Sequence, residues 1–317
     1  MEDLFNSLYS NGALLVMWGA LLCHYLLPIP RDAHPANLWR RFAQLLADKV
    51  NTPHSHTQSV ISGSLALLLM LLPTWLVLWA LKPLVWQPQL YELALLILAL
   101  DWRSYDKLTH ELLPALAKDE KAQARSTLQP FLNRETSTLS ALGLGKAGAE
   151  TLILGYGRNV VGVLFWYALG GGAGALLYRL AVELSRVWSP SRATFSPFGL
   201  PAIRLVAVLD FVPLRLLALL VVPGQRGLST FQTMRAQSVS WPLPGPGWLL
   251  TSLGSKLELA LGGPAIYDGR KTVRAKIGGR IAPAAIHLAQ LQKFIAWRIL
   301  IWIVTESVIL AVIYQGF

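Results

Sequence analysis

Apolar residues in this chain run in long unbroken stretches rather than alternating with polar ones. Six stretches stand out: 12–27, 60–81, 84–100, 160–178, 205–222 and 295–314. The hydrocarbon core of a bilayer is about 30 Å thick and takes about 20 helical residues, so each reads as a candidate span. The first carries His24 and follows an acidic start (Glu2, Asp3) with no basic region, which reads as a retained span, not a cleaved leader. Pro73 should kink the second without ending it. The third carries Pro88 and Glu92 and follows the second through a tight Lys82–Pro83 connection. Asp210 and Arg215 lie inside the fifth, and Arg298 and Glu306 in the last. Three longer segments, 31–59, 101–147 and 223–294, separate the spans. The middle one reads mostly as helix and closes on a glycine-rich turn, Gly143-Leu-Gly145, while 240–247 is a proline- and glycine-rich loop. The pattern predicts an all-α, polytopic integral membrane protein with about six transmembrane helices, forming a single domain over 1–317.

Composition agrees. Of 317 residues, 54% are hydrophobic and only 14% charged, against about 25% charged in soluble domains. One cysteine, Cys23, excludes a disulfide framework and a cysteine-built zinc site. The net charge of +11 changes the picture only through its distribution. Lysines and arginines number four in 31–59, seven in 101–147 and nine in 223–294, against none in 1–11, one in 82–88 and three in 183–204. The positive-inside rule then puts the three long segments in the cytoplasm and both termini outside. Trp75, Trp79, Trp86, Tyr91, Trp166, Tyr167, Trp297 and Trp302 fall where an interfacial aromatic belt is expected.

Charges inside spans are costly and mark candidate sites. Asp210 and Arg215 flank Pro213, which opens the helix locally; they form either a site or a structural ion pair. Glu150 and Arg158, with Gly155 and Gly157 between them, stand at the mouth of the fourth span, where an arginine beside small residues suits an anion. Gly170 and Gly174 read as a small-xxx-small packing pair. His54 and His56 lack further ligand partners, so no metal site is expected on them. Asp119-Glu120 reads as a solvated pair. The basic run from Arg270 through Arg274 to Arg280 suits phosphate-bearing substrates or membrane lipid head groups. It lacks the interleaved aromatics of a nucleic-acid surface, so no nucleic-acid partner is expected.

An ordered series of residues resembles the CobD/CbiB family: His34-Pro35, Arg134-Glu135-Thr136, Glu150-Thr151, Leu164-Phe165-Trp166 with Tyr178-Arg179, then Arg204, Pro213 and Arg215, and Leu261-Gly262-Gly263-Pro264 with Tyr267 and Gly269. The resemblance runs from about 34 to 270. It implies a bacterial inner-membrane enzyme of cobalamin biosynthesis, adenosylcobinamide-phosphate synthase, which uses magnesium-ATP to join adenosylcobyric acid to aminopropanol phosphate. It further implies a site of Glu150 and Arg134 as catalytic residues and Tyr178, Arg204 and Arg215 as contacts for a corrinoid or another anionic small molecule; the span charges Asp210 and Arg158 are added as candidate contacts on their own chemistry. The chain departs from the family pattern at Glu150–Asn159, Val182–Arg186 and Val206–Asp210, where carboxylates are replaced and Arg158 and Arg186 enter. Leu209–Leu216 is similar instead to AmpE, an inner-membrane signalling protein on the same scaffold. Two readings stay open: a ligase, and a non-catalytic signalling or ligand-binding relative. A transporter built on Asp210 and Arg215 is a third, and no inverted repeat supports it.

Overall fold

The computed structural model describes residues 12–27, 35–52 and 55–314. Glu2, Asp3, His34 and His54 lie outside the described residues. The chain is helical almost throughout: α1 Gly12–Leu26, α2 Ala36–Val50, α3 His56–Leu81, α4 Pro88–Ala99, α5 Arg103–Ala117, α6 Lys121–Leu128, α7 Ala141–Tyr156, α8 Val163–Val187, α9 Leu200–Leu209, α10 Pro213–Val221, α11 Gly227–Gln237, α12 Pro244–Lys256 and α13 Ala285–Tyr314. A π-helical turn, Gly157–Gly162, joins α7 to α8. By length and composition, three helices could cross a membrane: 56–84, 141–187 and 285–312. Shorter apolar helices cover 12–26 and 200–209. On α3 and α13 large apolar side chains face outward (Leu65, Leu69, Trp79, Val304, Val308), as a lipid-facing surface requires and a water-facing one does not tolerate. The chain is therefore an all-α, polytopic integral membrane protein, and α3 runs through Pro73 without a break.

The fourth and fifth apolar stretches are not straight rods. Gly171 sits at φ 63°, ψ −162°, outside the helical region, and divides α8 into two arms. The arms fold back on each other: the ring of Tyr178 stacks on that of Trp166 with centroids 6.3 Å apart, where twelve residues of continuous helix would separate them by about 18 Å. Glu92, from α4, accepts a hydrogen bond from the Gly172 amide at the reversal. It supplies a carboxylate to the exposed N-terminus of the returning arm, where amides lack intrahelical acceptors. The stretch 205–222 breaks at Asp210-Phe211-Val212 into α9 and α10. These two helices pack on different neighbours, α9 on α3 and α8, α10 on α12 and the π turn.

Other expectations are corrected as well. Gly143 and Gly145 lie inside α7, not in a turn; a Cβ at Gly145 would meet the Pro283 carbonyl oxygen at 1.8 Å, so the glycine serves close packing. Gly170, by contrast, has no neighbour within 4 Å and is no packing contact. Trp166, Tyr167 and Trp302 are not belt residues: they donate inside the fold to the Leu209 carbonyl (3.2 Å), the Ala13 carbonyl (2.7 Å) and the Glu306 carboxyl (2.6 Å). Trp75, Trp79, Trp86 and Trp297 are exposed, as expected. The 260–278 region, read as a basic loop, forms two small antiparallel ribbons: β1 (Ala260–Gly262) with β4 (Lys276–Gly278), and the hairpin β2 (Ala265–Tyr267) with β3 (Arg270–Thr272). Its turn, Asp268-Gly269, has positive φ at both positions, the tight-hairpin geometry that Asp-Gly favours.

One large core joins most helices. A second, smaller core gathers α2, α3, the returning arm of α8 and α9 around Trp188. That indole is fully buried, donates to the Ala43 carbonyl at 2.9 Å and meets Phe198 edge-to-face at 5.3 Å.

Candidate functional site

The reversal at Gly171 returns the end of α8 to the second half of α7. Between them lies a cavity of about 270 Å³. It is lined by Arg134, Glu150, Arg158, Arg179, Glu183, Arg186 and Arg274, among neutral neighbours that include Tyr105, Asn159, Ser189, Ser191 and Tyr267. Five arginines thus face two glutamates. The charge count sets 183–204 on the opposite side of the membrane from 101–147 and 223–294. In the structure Arg186, Ser189 and Ser191 share one cavity with Arg134 and Arg274. The physical reason is Gly171: an apolar stretch long enough to cross turns back instead.

Glu150, on α7, is the hub of one wall. One oxygen accepts from Arg134 (3.3 Å) and Arg274 (3.0 Å); the other accepts from Arg274 (3.3 Å) and the Gly262 amide (2.8 Å). Arg274 reaches it from the strand pair 260–278, steadied by the Gly263 carbonyl (3.1 Å) and the ring of Trp241 (5.3 Å). Burial pushes the Arg134 guanidinium below its ordinary pKa, and Glu150 opposes that shift. The glutamate is thus the partner that keeps a buried charge tolerable.

The opposite wall is a second network. Arg179 bonds Glu183 one turn on (2.9 Å) and Asp101 at the end of α4 (3.3 Å). Glu183 also receives both ends of the Arg40 fork from α2, at 2.7 and 3.0 Å. That bidentate bond raises the Arg40 pKa. On the floor, Arg158 pairs with Asp210 at 2.8 Å, and Tyr178 donates to the other Asp210 oxygen at 2.7 Å. Asn159 donates to the Tyr105 hydroxyl, whose pKa is raised by burial. Buried polar atoms on lining residues, among them Thr151 Oγ1, Asn159 Oδ1 and Arg179 Nε, have no hydrogen-bond partner. Unpaired buried polar atoms carry a penalty, which a polar ligand would relieve.

Of the residues expected in the site, Arg134, Glu150 and Arg158 line the cavity, and Tyr178 and Asp210 support its floor. Arg204 and Arg215 do not. Arg204 is exposed on α9, and Arg215 lies over the rings of Phe211 (3.7 Å) and Trp248 (4.7 Å). Asp210 therefore pairs with Arg158, not with Arg215. Sequence reasoning missed Arg179, Glu183, Arg186 and Asp101 as site residues and had Arg274 only as one member of a basic run. The i,i+4 spacing of Arg179 and Glu183 was a usable signal. Nothing local shows that Asp101 and Arg274 reach the same place.

The fold and this cavity define a class: an integral membrane protein with an arginine-lined cavity. Comparison with known proteins makes the class specific. The CobD/Cbib protein family model matches residues 17–296. The cobalamin biosynthesis protein CobD of Stutzerimonas stutzeri is 32% identical over 282 residues, covering 87% of this chain and 91% of the relative. CobD of Chromobacterium violaceum is 30% identical, covering 69% and 70%, and CbiB of Salmonella typhimurium is 24% identical, covering 69% and 72%. This chain belongs to the CobD/CbiB family, and that membership supports a role in cobalamin biosynthesis. The AmpE resemblance draws no support from these relatives. No solved structure matches the chain.

The family resemblance implies magnesium-ATP. A magnesium site needs carboxylate oxygens free to meet the ion. Here both lining carboxylates, Glu150 and Glu183, are held by two arginines each, and the adjacent Asp101 and Asp210 are held by one each. No group of three acidic, histidine or cysteine side chains suited to a metal occurs among the described residues. The residues present do not fit the ion.

Proposed function

We propose that this chain acts at the bacterial inner membrane in the ligation step that its family membership implies, joining adenosylcobyric acid to aminopropanol phosphate through an amide bond. The observation that carries the reading is the cavity with five arginines against two glutamates. Arginine forks match carboxylate and phosphate geometry, and each substrate brings one such group: the carboxyl that condenses, with net loss of water, and the phosphate borne by the molecule whose amine it joins. Size narrows the reading. A cavity of about 270 Å³ falls below the usual 300–1,000 Å³ of a site that encloses a drug-sized ligand. It suits aminopropanol phosphate or a single corrinoid side chain and leaves the macrocycle outside. Arg134 and Arg274 on one wall and Arg179 on the other would orient the anionic groups, with Tyr105 and Tyr267 also lining the cavity. No step is assigned to magnesium-ATP.

The test is complementation. The chain, expressed in a strain that accumulates adenosylcobyric acid and lacks its own synthase, is expected to restore cobalamin-dependent growth. Failure of a membrane-inserted, folded protein to do so would overturn the ligation and leave an anion-binding protein.

A further inference from the structure

The arginines of the cavity are not equivalent. Arg134 and Arg274 share Glu150 as ion-pair partner, Arg158 pairs with Asp210, and Arg179 pairs with Asp101 and Glu183. Arg186 is the exception. Among the described residues no carboxylate lies within ion-pair distance of it, and its one side-chain bond goes to the Pro130 carbonyl. It is the lining arginine that no ion pair holds.

Its surroundings suit an oxyanion. Arg186 stands on the last turn of the returning arm, half-buried at the cavity wall. Three and five residues on, Ser189 and Ser191 line the same cavity. Their hydroxyls hydrogen-bond each other at 2.7 Å. Each can rotate its proton towards an incoming acceptor. A guanidinium and two hydroxyls lining one cavity supply the donors that a phosphate or carboxylate takes. Among the described residues the carboxylates lining the cavity are Glu150 and Glu183, and each is held by two arginines.

We propose that Arg186, with the Ser189 and Ser191 hydroxyls, is the anchor for the ligand's oxyanion, and that binding at this seat needs no divalent cation. The proposal rests on the reading of the cavity as an anion site. The test uses the full-length protein purified in detergent, with inorganic phosphate and aminopropanol phosphate as probes, followed by calorimetry. Wild-type protein should bind both with the same affinity in excess EDTA as in magnesium. Arg186→Gln should weaken both at least tenfold, Arg186→Lys by less, and the Ser189→Ala/Ser191→Ala pair severalfold; Lys118→Gln, on an exposed side chain, should match wild type. Should Arg186→Gln fail to fold, the serine pair and Arg186→Lys carry the test. Unchanged affinity in these variants, or binding that disappears in EDTA and returns with magnesium, overturns the proposal and leaves the anion-site reading standing. Absence of binding by the wild-type protein overturns both.

Discussion

Tyr178 stacks on Trp166 because Gly171, between them, reverses the chain. Its backbone, at φ 63° and ψ −162°, lies in a region that is essentially glycine-only, and a Cβ there would sit 2.7 Å from a Glu92 carboxylate oxygen. Gly171→Ala should therefore destabilise the protein by about 1–3 kcal/mol from the backbone alone, with the contact adding to it. Gly170→Ala, one residue earlier in open space, should be neutral or stabilise by up to about 1 kcal/mol, since alanine is the better helix former. Thermal unfolding of the two variants in detergent makes the comparison; equal melting temperatures would remove the reversal's special role.

The same reversal brings 183–204 to one cavity with the long basic segments, so these segments should face the same side of the membrane. In a variant with Cys23 replaced, cysteines introduced at the exposed positions Ser137 and Ser191 should be labelled by an impermeant maleimide from the same side. A cysteine at Trp86, in the turn after α3, should be labelled from the other side. Labelling of Ser191→Cys together with Trp86→Cys would restore the single-crossing reading of 160–178.

Much of this was legible in the sequence. The apolar stretches at 12–27, 60–81, 84–100 and 295–314 each contain or coincide with a helix, because length and hydropathy suffice for a lone rod. They do not suffice where a chain can turn back. The run Leu169–Gly174 is apolar enough to continue a span, and only the backbone angle of Gly171 decides that it does not. The site divides the same way. Glu150 and Arg158 announced themselves as charges beside an apolar stretch. Their partners are far off in sequence, Arg274 at 124 residues and Asp210 at 52, so spacing could not pair them. Arg215 was paired with Asp210 because the two are neighbours in sequence. The aromatic faces of Phe211 and Trp248 hold that guanidinium instead.

Glu150 holds two buried guanidinium groups, so Glu150→Gln should leave both partly unpaired while keeping an acceptor for the Gly262 amide. Removing one partner of a buried ion pair costs about 3–5 kcal/mol. A large drop in melting temperature is expected, with partial recovery when Arg134→Gln is added, because the second change removes one of the stranded charges. A double variant that falls by the full sum of the two single losses would show that Glu150 does not bind Arg134.

Asp210 is fully buried between Arg158 and Tyr178, whereas Arg215 lies over two rings and touches no carboxylate among the described residues. Double-mutant cycles separate these arrangements, since only groups in contact couple. Contacting residues give interaction energies of about 0.5–3 kcal/mol, and independent sites add within about 0.3–0.5 kcal/mol. Asp210→Asn with Arg158→Gln should therefore show clear coupling in unfolding free energy. Asp210→Asn with Arg215→Gln should be additive, and Arg215→Gln alone should lose only its stacking on Phe211 and Trp248. The reverse outcome, coupling to Arg215 and none to Arg158, would return the floor of the cavity to the pairing that chain neighbours suggest.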